Sequence, residues 1–214
     1  MHRDNAGRES HQGNVKTVRG WGWLAFTGIL AFLLSLVALH FTGRPIDMQE
    51  RYLSELANRQ AGWIFDAGTL IHGLGNLALA MGLRASLPKS RLRGWSVSLF
   101  GLAAIGIVVA GIFSIDSPGM ALTVSGAIHR AATSGAFAAE LAALFIFSQA
   151  FAHCPSWKEF KGISLWLSGC AAVALLVFVI SIELDFMPGL TERVALIVFL
   201  CWEIWVVLRL IRFR

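Results

Sequence analysis

Gly162–Ile182, with the sequence GISLWLSGCAAVALLVFVISI, contains no charged side chain. A helix needs about 20 apolar residues to cross the roughly 30 Å hydrocarbon core of a bilayer. This stretch is long and apolar enough to do so. It therefore predicts a membrane-spanning helix and gives the pattern to look for in the rest of the chain.

Five further segments have the same length and apolar character. In chain order, the six predicted spans are Trp21–Phe41, Ala61–Leu83, Trp95–Ser114, Thr123–Phe151, Gly162–Ile182 and Glu192–Leu210. Of the 214 residues, 56% are hydrophobic and 14% are charged, whereas soluble domains carry about 25% charged residues. We therefore predict an all-α polytopic membrane protein: a six-helix transmembrane bundle over residues 20–214, preceded by a mobile polar cytoplasmic tail at residues 1–19.

The distribution of Lys and Arg predicts how the bundle is oriented, because cytoplasmic loops carry an excess of these residues. They are concentrated in the N-terminal tail, the second and fourth connections and the C-terminus. The opposite side carries Arg44, Arg51, Arg59 and Arg193, with Arg130 at the membrane edge. Both termini are therefore predicted to be cytoplasmic. The same topology accounts for the net charge of +5, and without a basic stripe or stacking motif it does not indicate nucleic-acid binding.

Ionisable side chains gather in the predicted outer half of the spans, where they are costly in lipid and mark functional sites or interior pairs. At 100° per residue, the polar residues of the second span share one face, and so do those of the fourth. The second-span stripe is Asp66, Thr69, His72 and Asn76, and the fourth-span stripe is Ser125, His129, Thr133 and Glu140. We expect the stripes to face each other, with rungs pairing Asp66 with Arg130, His72 with Thr133, and Asn76 with Glu140; purely structural pairing is the alternative.

Small residues at four-residue spacing predict a tight helix contact in the fourth span. They are Ala131, Gly135, Ala139 and Ala143. In lipid, helices associate through close backbone approach, which small side chains permit. This stripe is therefore expected to pack directly against a neighbouring helix.

No motif predicts a metal or another cofactor. The three cysteines have no metal or redox spacing, and neither H-x-x-x-H nor H-E-x-x-H occurs. Two histidines on separate helices, His72 and His129, are the candidates for a haem, but counting along the helices places them at different depths. We therefore predict no cofactor and no metal site.

Short runs at the predicted outer side carry a family resemblance. They are YLSELA at Tyr52–Ala57, GIFSID at Gly111–Asp116, then Thr123 and GAIH at Gly126–His129, and GLTER at Gly189–Arg193. With the six-span layout, they resemble the "domain of unknown function 998" family over about residues 20–210, although family members often have Pro where this chain has Ser114. The resemblance implies a six-helix protein of the prokaryotic inner membrane, without an established activity.

Two functions follow from the outer polar residues. The favoured one is a binding or transport module with an outward-facing polar cavity for a small polar molecule or a lipid headgroup. The candidate ligand-binding residues are Glu55, Asp66, His72, Asp116, His129, Arg130, Glu140, Glu192 and Arg193. In this hypothesis Arg130 and Arg193 meet an anionic group, since guanidinium suits phosphate and carboxylate.

The alternative is an outer-surface enzyme, possibly a metal-dependent hydrolase, that acts on a lipid or cell-envelope precursor. His129 would be its general base or metal ligand, and Asp116 would orient His129. The sequence carries no recognisable nucleophile or metal motif for such an enzyme, which favours the binding module. A structural subunit whose partner is another protein is the third possibility, and the bilayer is the predicted environment in every case.

Overall fold

The computed structural model describes residues 2–41, 47–117 and 119–213, with side chains from Gly13 onward. Six long helices occupy this part of the chain: α1 His2–Phe41, α2 Trp63–Ser86, α3 Arg91–Ile112, α4 Val124–Ala152, α5 Lys161–Glu183 and α6 Pro188–Ile211. Short 3-10 turns lie at Leu53–Asn58 and Lys158–Phe160, and the described residues contain no strand. All six helices are long and apolar enough to cross a membrane. The predicted all-α bundle of six spans is confirmed.

Local chemistry explains where several helices begin. Ser90 accepts a hydrogen bond from the Arg93 N–H at 3.1 Å before α3, and Thr123 accepts one from the Gly126 N–H at 3.1 Å before α4. A hydroxyl at this position satisfies one of the free N–H groups of the first turn. Pro188 opens α6, where its missing N–H costs nothing. The predicted tail is continuous with α1, and the predicted mobility of residues 1–19 stays a prediction.

The six helices form a closed ring in which each packs against its neighbours in the chain, and α6 returns to pack against α1. Because the spans alternate in direction, three connections lie at one end of the bundle and the termini lie at the other. We call the first the cap end, since residues 47–60, the cap segment, fold over it. The predicted outer segment Thr42–Gln60 is described from Asp47 onward.

The ring order corrects the predicted ladder between the second and fourth spans. Helix α3 packs against both α2 and α4 and separates them, so these two helices are not direct neighbours. His72 and Asn76 instead bond to Glu203 of α6. The ladder was wrong because sequence gives depth along each helix but not which helices stand side by side.

Two glycines bring the backbones of α1 and α2 into close contact. A Cβ added to Gly28 would lie 2.7 Å from the Cα of Gly75, and one added to Gly75 would lie 2.8 Å from the Cα of Gly28. These two backbones touch where any side chain would push them apart. The sequence did not single out this pair.

The stripe predicted on the fourth span is only half buried. Ala139 and Ala143 are buried, but Ala131 and Gly135 are exposed, and nothing lies within 4 Å of a Cβ placed on Gly135. The contact between α3 and α4 is made instead by the residues that follow Ala131 and Gly135 in the sequence: Gly106 of α3 approaches Ala132 and Ala136. Residues 131 and 132 point in directions that differ by 100° around a helix. Because small residues lie on both of these faces of α4, their spacing alone does not identify the face that contacts α3.

An aromatic layer fills the interior toward the end of the bundle that carries the termini. Phe100 of α3, Phe147 of α4 and Trp202 of α6 lie with ring centroids 5.7–6.0 Å apart. The Trp202 indole donates a hydrogen bond to the Ser164 hydroxyl at 2.9 Å. This half of the ring is closely packed, and the open space lies nearer the cap end.

Candidate functional site

A cavity of about 100 Å³ lies inside the ring among α2, α3, α4 and α6. The cap segment contributes Leu53 and Ser54 to its wall, and α1 contributes Phe32. Most of the lining is apolar, with further aromatic rings from α2, α4 and α6, namely Phe65, Phe137 and Phe199. The sequence predicted a polar cavity, whereas the walls of this cavity are mostly apolar and its polar groups are few.

A buried hydrogen-bond network centred on Glu203 of α6 lies at one side of this cavity. The His72 Nε2 lies 2.8 Å from one carboxyl oxygen, and the Asn76 side-chain amide donates to the other at 2.6 Å. All three residues are at most 3% exposed. His72 and Asn76 are four residues apart on α2, which puts them on one face of the helix. The His72 ring also stacks on Phe32, with centroids 4.8 Å apart.

Glu140 of α4 brings a second carboxyl group to the same network. Glu140 is 4% exposed, lines the cavity and lies next to Glu203. Its Oε1 has no hydrogen-bond partner among the described residues, and neither does the hydroxyl of Thr69, which also lines the cavity. Unpartnered polar atoms are costly inside a protein. Both atoms therefore offer hydrogen-bonding capacity that the described protein leaves unused.

His129 of α4 reaches the cavity with a defined ring orientation. Its Nδ1 lies 2.8 Å from the Phe113 carbonyl and 3.1 Å from the Ala110 carbonyl at the end of α3. Carbonyl oxygens only accept hydrogen bonds, so Nδ1 carries a proton. This leaves Nε2 as the ring nitrogen that is free to interact elsewhere. Asp66 lies near enough to His129 for an electrostatic interaction but does not line the cavity.

The cap segment is fastened to the start of α6 by two charged side chains. Glu192 accepts a hydrogen bond from the Leu53 N–H and reaches the cavity. The Arg193 guanidinium donates to the carbonyls of Arg51 at 2.7 Å, Gly189 at 2.7 Å and Met48 at 3.2 Å. Glu192 and Arg193 therefore hold the cap over the cavity, and Arg193 points toward the loop and not into the site.

Two other side chains of the cap segment interact locally. Glu55 accepts a hydrogen bond from the Tyr52 N–H at 3.2 Å and forms a salt bridge with Arg51 at 3.5 Å. Burial raises the pKa of the Tyr52 phenol above its usual value, and the negative charge of nearby Glu192 acts in the same direction. Neither Tyr52 nor Glu55 lines the cavity.

Asp116 stabilises the connection between α3 and α4. Its carboxyl oxygens accept hydrogen bonds from the Thr123 hydroxyl at 2.6 Å and the Thr123 N–H at 3.1 Å. These two bonds, the hydroxyl foremost, lower the pKa of the Asp116 carboxyl. Arg130 is exposed nearly two turns into α4. Neither Asp116 nor Arg130 lines the cavity.

The structure thus brings four of the nine candidate residues to one cavity and leaves five outside its wall. Those that line it are His72, His129, Glu140 and Glu192. Those that do not are Glu55, Asp66, Asp116, Arg130 and Arg193. Sequence reasoning missed Glu203, the centre of the network. A signal was present, because Glu203 is a charged residue deep inside the apolar run of the sixth span.

The cavity is acidic. Its ionisable lining consists of three carboxyl groups and two imidazoles, and no Lys or Arg appears among the described residues of its wall. Two carboxylates held close together in an apolar environment repel each other strongly. The pair of Glu140 and Glu203 therefore favours the approach of a positive charge or a proton.

Residues 26–209 match the model of a protein family described as "Protein of unknown function (DUF998)". The chain belongs to this family. The match runs from α1 to the last turn of α6 and includes every residue of the cavity wall. The resemblance that the sequence carries at its cap-end motifs is confirmed.

No curated protein matches the chain, and no solved structure does. Membership of DUF998 establishes a multi-pass helical protein of uncharacterised function.

Proposed function

We propose that this DUF998 protein binds a small organic cation, a protonated amine with an apolar body, inside the bundle. The observation that carries the proposal is the buried Glu140 carboxyl, whose Oε1 is unpartnered beside a second carboxyl group in an apolar-walled cavity. An ammonium group would supply the missing hydrogen-bond donor and a compensating charge. Ionisable groups buried in membrane spans commonly mark ligand or ion pathways.

The size of the cavity limits the ligand. A cavity of about 150 Å³ in a protein core holds one benzene molecule, and this cavity is about 100 Å³. A ligand of about four or five non-hydrogen atoms, slightly smaller than benzene, is therefore the scale that fits. A complete lipid headgroup with its glycerol is too large for the space as it stands.

The apolar walls support an amine with a hydrocarbon body over a strongly hydrated ion. Phe65, Phe137 and Phe199 surround the space, and aromatic faces attract organic cations. An alkyl chain would contact these rings while its ammonium group meets Glu140. An inorganic cation would need several oxygen ligands, and the described residues contain no group of three that could hold a metal.

The negative charge of the cavity wall favours a different ligand from the anion that the sequence suggested. Arg130 and Arg193, which were expected to meet an anion, lie outside the cavity wall, and the wall carries Glu140, Glu192 and Glu203 instead. An anionic phosphate or carboxylate would be repelled from this wall. We therefore propose a cation where the sequence suggested a phosphate or carboxylate.

The orientation that we propose places the cap end outside the cell. It rests on the excess of Lys and Arg at the end that carries the termini, which the positive-inside rule places in the cytoplasm. The protein would then be a multi-pass protein of the prokaryotic inner membrane whose cavity lies beneath an outer cap. A ligand would enter from the outside by displacing the cap segment around Leu53 and Ser54.

The proposal is tested by binding of three probes of equal length to the purified protein in detergent: n-butylammonium, n-butanol and butanoate. We expect only n-butylammonium to bind clearly by isothermal titration calorimetry, and Glu140→Gln to weaken its binding at least about tenfold, since a charge-assisted hydrogen bond is lost. Glu183→Gln is the matched control, because Glu183 is exposed at the end of α5. Equal binding by wild type and Glu140→Gln would refute the proposed site.

A further inference from the structure

We infer that the cavity exchanges one proton for each organic cation that it binds, with Glu140 as the group that releases the proton. The inference rests on the proposed function and adds a regulatory property to the same site. It follows from the unequal surroundings of two adjacent buried carboxyl groups, Glu140 and Glu203.

Both carboxyl oxygens of Glu203 already have hydrogen-bond partners. One lies 2.8 Å from the His72 Nε2, and the other accepts a hydrogen bond from the Asn76 amide at 2.6 Å. Both partners come from α2, so the packing of α2 against α6 holds the Glu203 carboxyl group in place.

Glu140 is 4% exposed and lies within hydrogen-bonding reach of Glu203, and its Oε1 has no partner in the described part of the chain. A second negative charge at this place would be desolvated and would face the first one. In the unliganded protein Glu140 therefore holds a proton, and the pair carries a single negative charge.

A bound ammonium ion donates a hydrogen bond to Glu140 Oε1. It thereby brings the positive charge that the proton of the Glu140 carboxyl group supplied before. The O–H bond of the Glu140 carboxyl then breaks, the proton leaves to solvent, and the ammonium forms a hydrogen bond to the resulting carboxylate. One positive charge enters and one leaves, so the charge inside the bundle is unchanged. This exchange avoids burying a net charge in the membrane, which is the larger cost.

The other titratable groups at the cavity have partners or positions that distinguish them from Glu140. His72 belongs to the Glu203 network, and His129 faces the wall from α4 with its Nδ1 proton committed to α3 carbonyls. Glu192 lies at the cap. The residues of α1 and α3 in the wall are apolar, α5 contributes none, and Asp66 lies near His129 outside the wall.

His129 and Glu192 offer a way out for the proton. Both line the cavity between the carboxyl pair and the cap, together with the hydroxyl-bearing Thr133 and Ser54. His129 Nε2 is free to accept a proton, because only Nδ1 is engaged. The polar part of the wall therefore leads from the pair toward the cap end.

The exchange is measured by titrating primary ammonium ions, from ethyl- to n-hexylammonium, into the purified protein at the same pH in phosphate and in HEPES. The two buffers differ in ionisation enthalpy, so the difference in binding heat gives the number of protons released. We expect about one proton to be released per bound ion, and we expect the affinity to rise with pH, because release of a proton becomes easier as the proton concentration falls. The ammonium ions stay charged throughout, as lysine does.

Two variants show whether the released proton comes from Glu140. In Glu140→Gln we expect weaker binding and about one proton fewer released per bound ion than in the wild type, whereas Glu183→Gln should match the wild type. Binding without proton release in the wild type would overturn the exchange and leave the proposed function standing. Failure of every ion in the series to bind the wild type would overturn both.

Discussion

At the scale of single residues, the side chains that matter most are ionisable groups buried in apolar helices. His72, His129 and Glu140 stood out in sequence because such groups are costly in a membrane unless they face the interior. The structure places all three at one cavity. Glu203 carries the same signal but is absent from the residues predicted from sequence. The bonds between these residues depend on helix neighbours, which one sequence does not reveal.

The hydrogen bond between His72 and Glu203 makes a measurable contribution to stability. Each side chain is almost fully buried, so removing one leaves the other without its partner. We expect His72→Leu and Glu203→Leu each to lower the free energy of unfolding by about 1–3 kcal/mol. The double variant should be less destabilised than the sum, with a coupling energy of about 1 kcal/mol. Unfolding in detergent and denaturant measures this, and strictly additive effects would show that the contact is absent.

At the scale of helices, the sequence predicted the six elements well and their contacts poorly. Length and hydropathy define a span without reference to any other part of the chain, and all six spans were confirmed. Small residues occur on more than one face of α4, so the contacting face was misjudged at Ala131 and Gly135. Close backbone approach is a property of two helices together and needs the packing of both.

The contact between Gly28 of α1 and Gly75 of α2 gives a sharp test of this packing. We expect Gly75→Ala to destabilise the bundle by about 1–3 kcal/mol, because its Cβ would meet the Gly28 backbone at 2.8 Å. Gly135→Ala is the matched control on α4 and should be close to neutral, since its Cβ would enter open space. Thermal unfolding of the two variants in the same detergent compares them. Equal loss in both would contradict the described α1–α2 contact.

At the scale of the whole molecule, the ring of helices creates one acidic space from residues far apart in sequence. Helix α2 supplies His72, α4 supplies Glu140 and α6 supplies Glu203, and the closure of α6 onto α1 brings the first and last parts of the chain together. The sequence predicted an outward-facing polar cavity. It did not predict the apolar character of most of the wall or its negative charge, because both depend on which residues of each helix face inward.

The central claim is that a small organic cation binds inside this cavity. Leu196 of α6 lines the cavity, whereas its neighbour Ile197 is exposed on the outer surface of the bundle. The most direct test is the dissociation constant of n-butylammonium for Leu196→Phe and Ile197→Phe, measured by calorimetry beside the wild type. We expect Leu196→Phe to bind at least about tenfold more weakly, because the larger ring takes up the ligand's space, and Ile197→Phe to bind as the wild type does. Unchanged binding in a folded Leu196→Phe protein would contradict the claim.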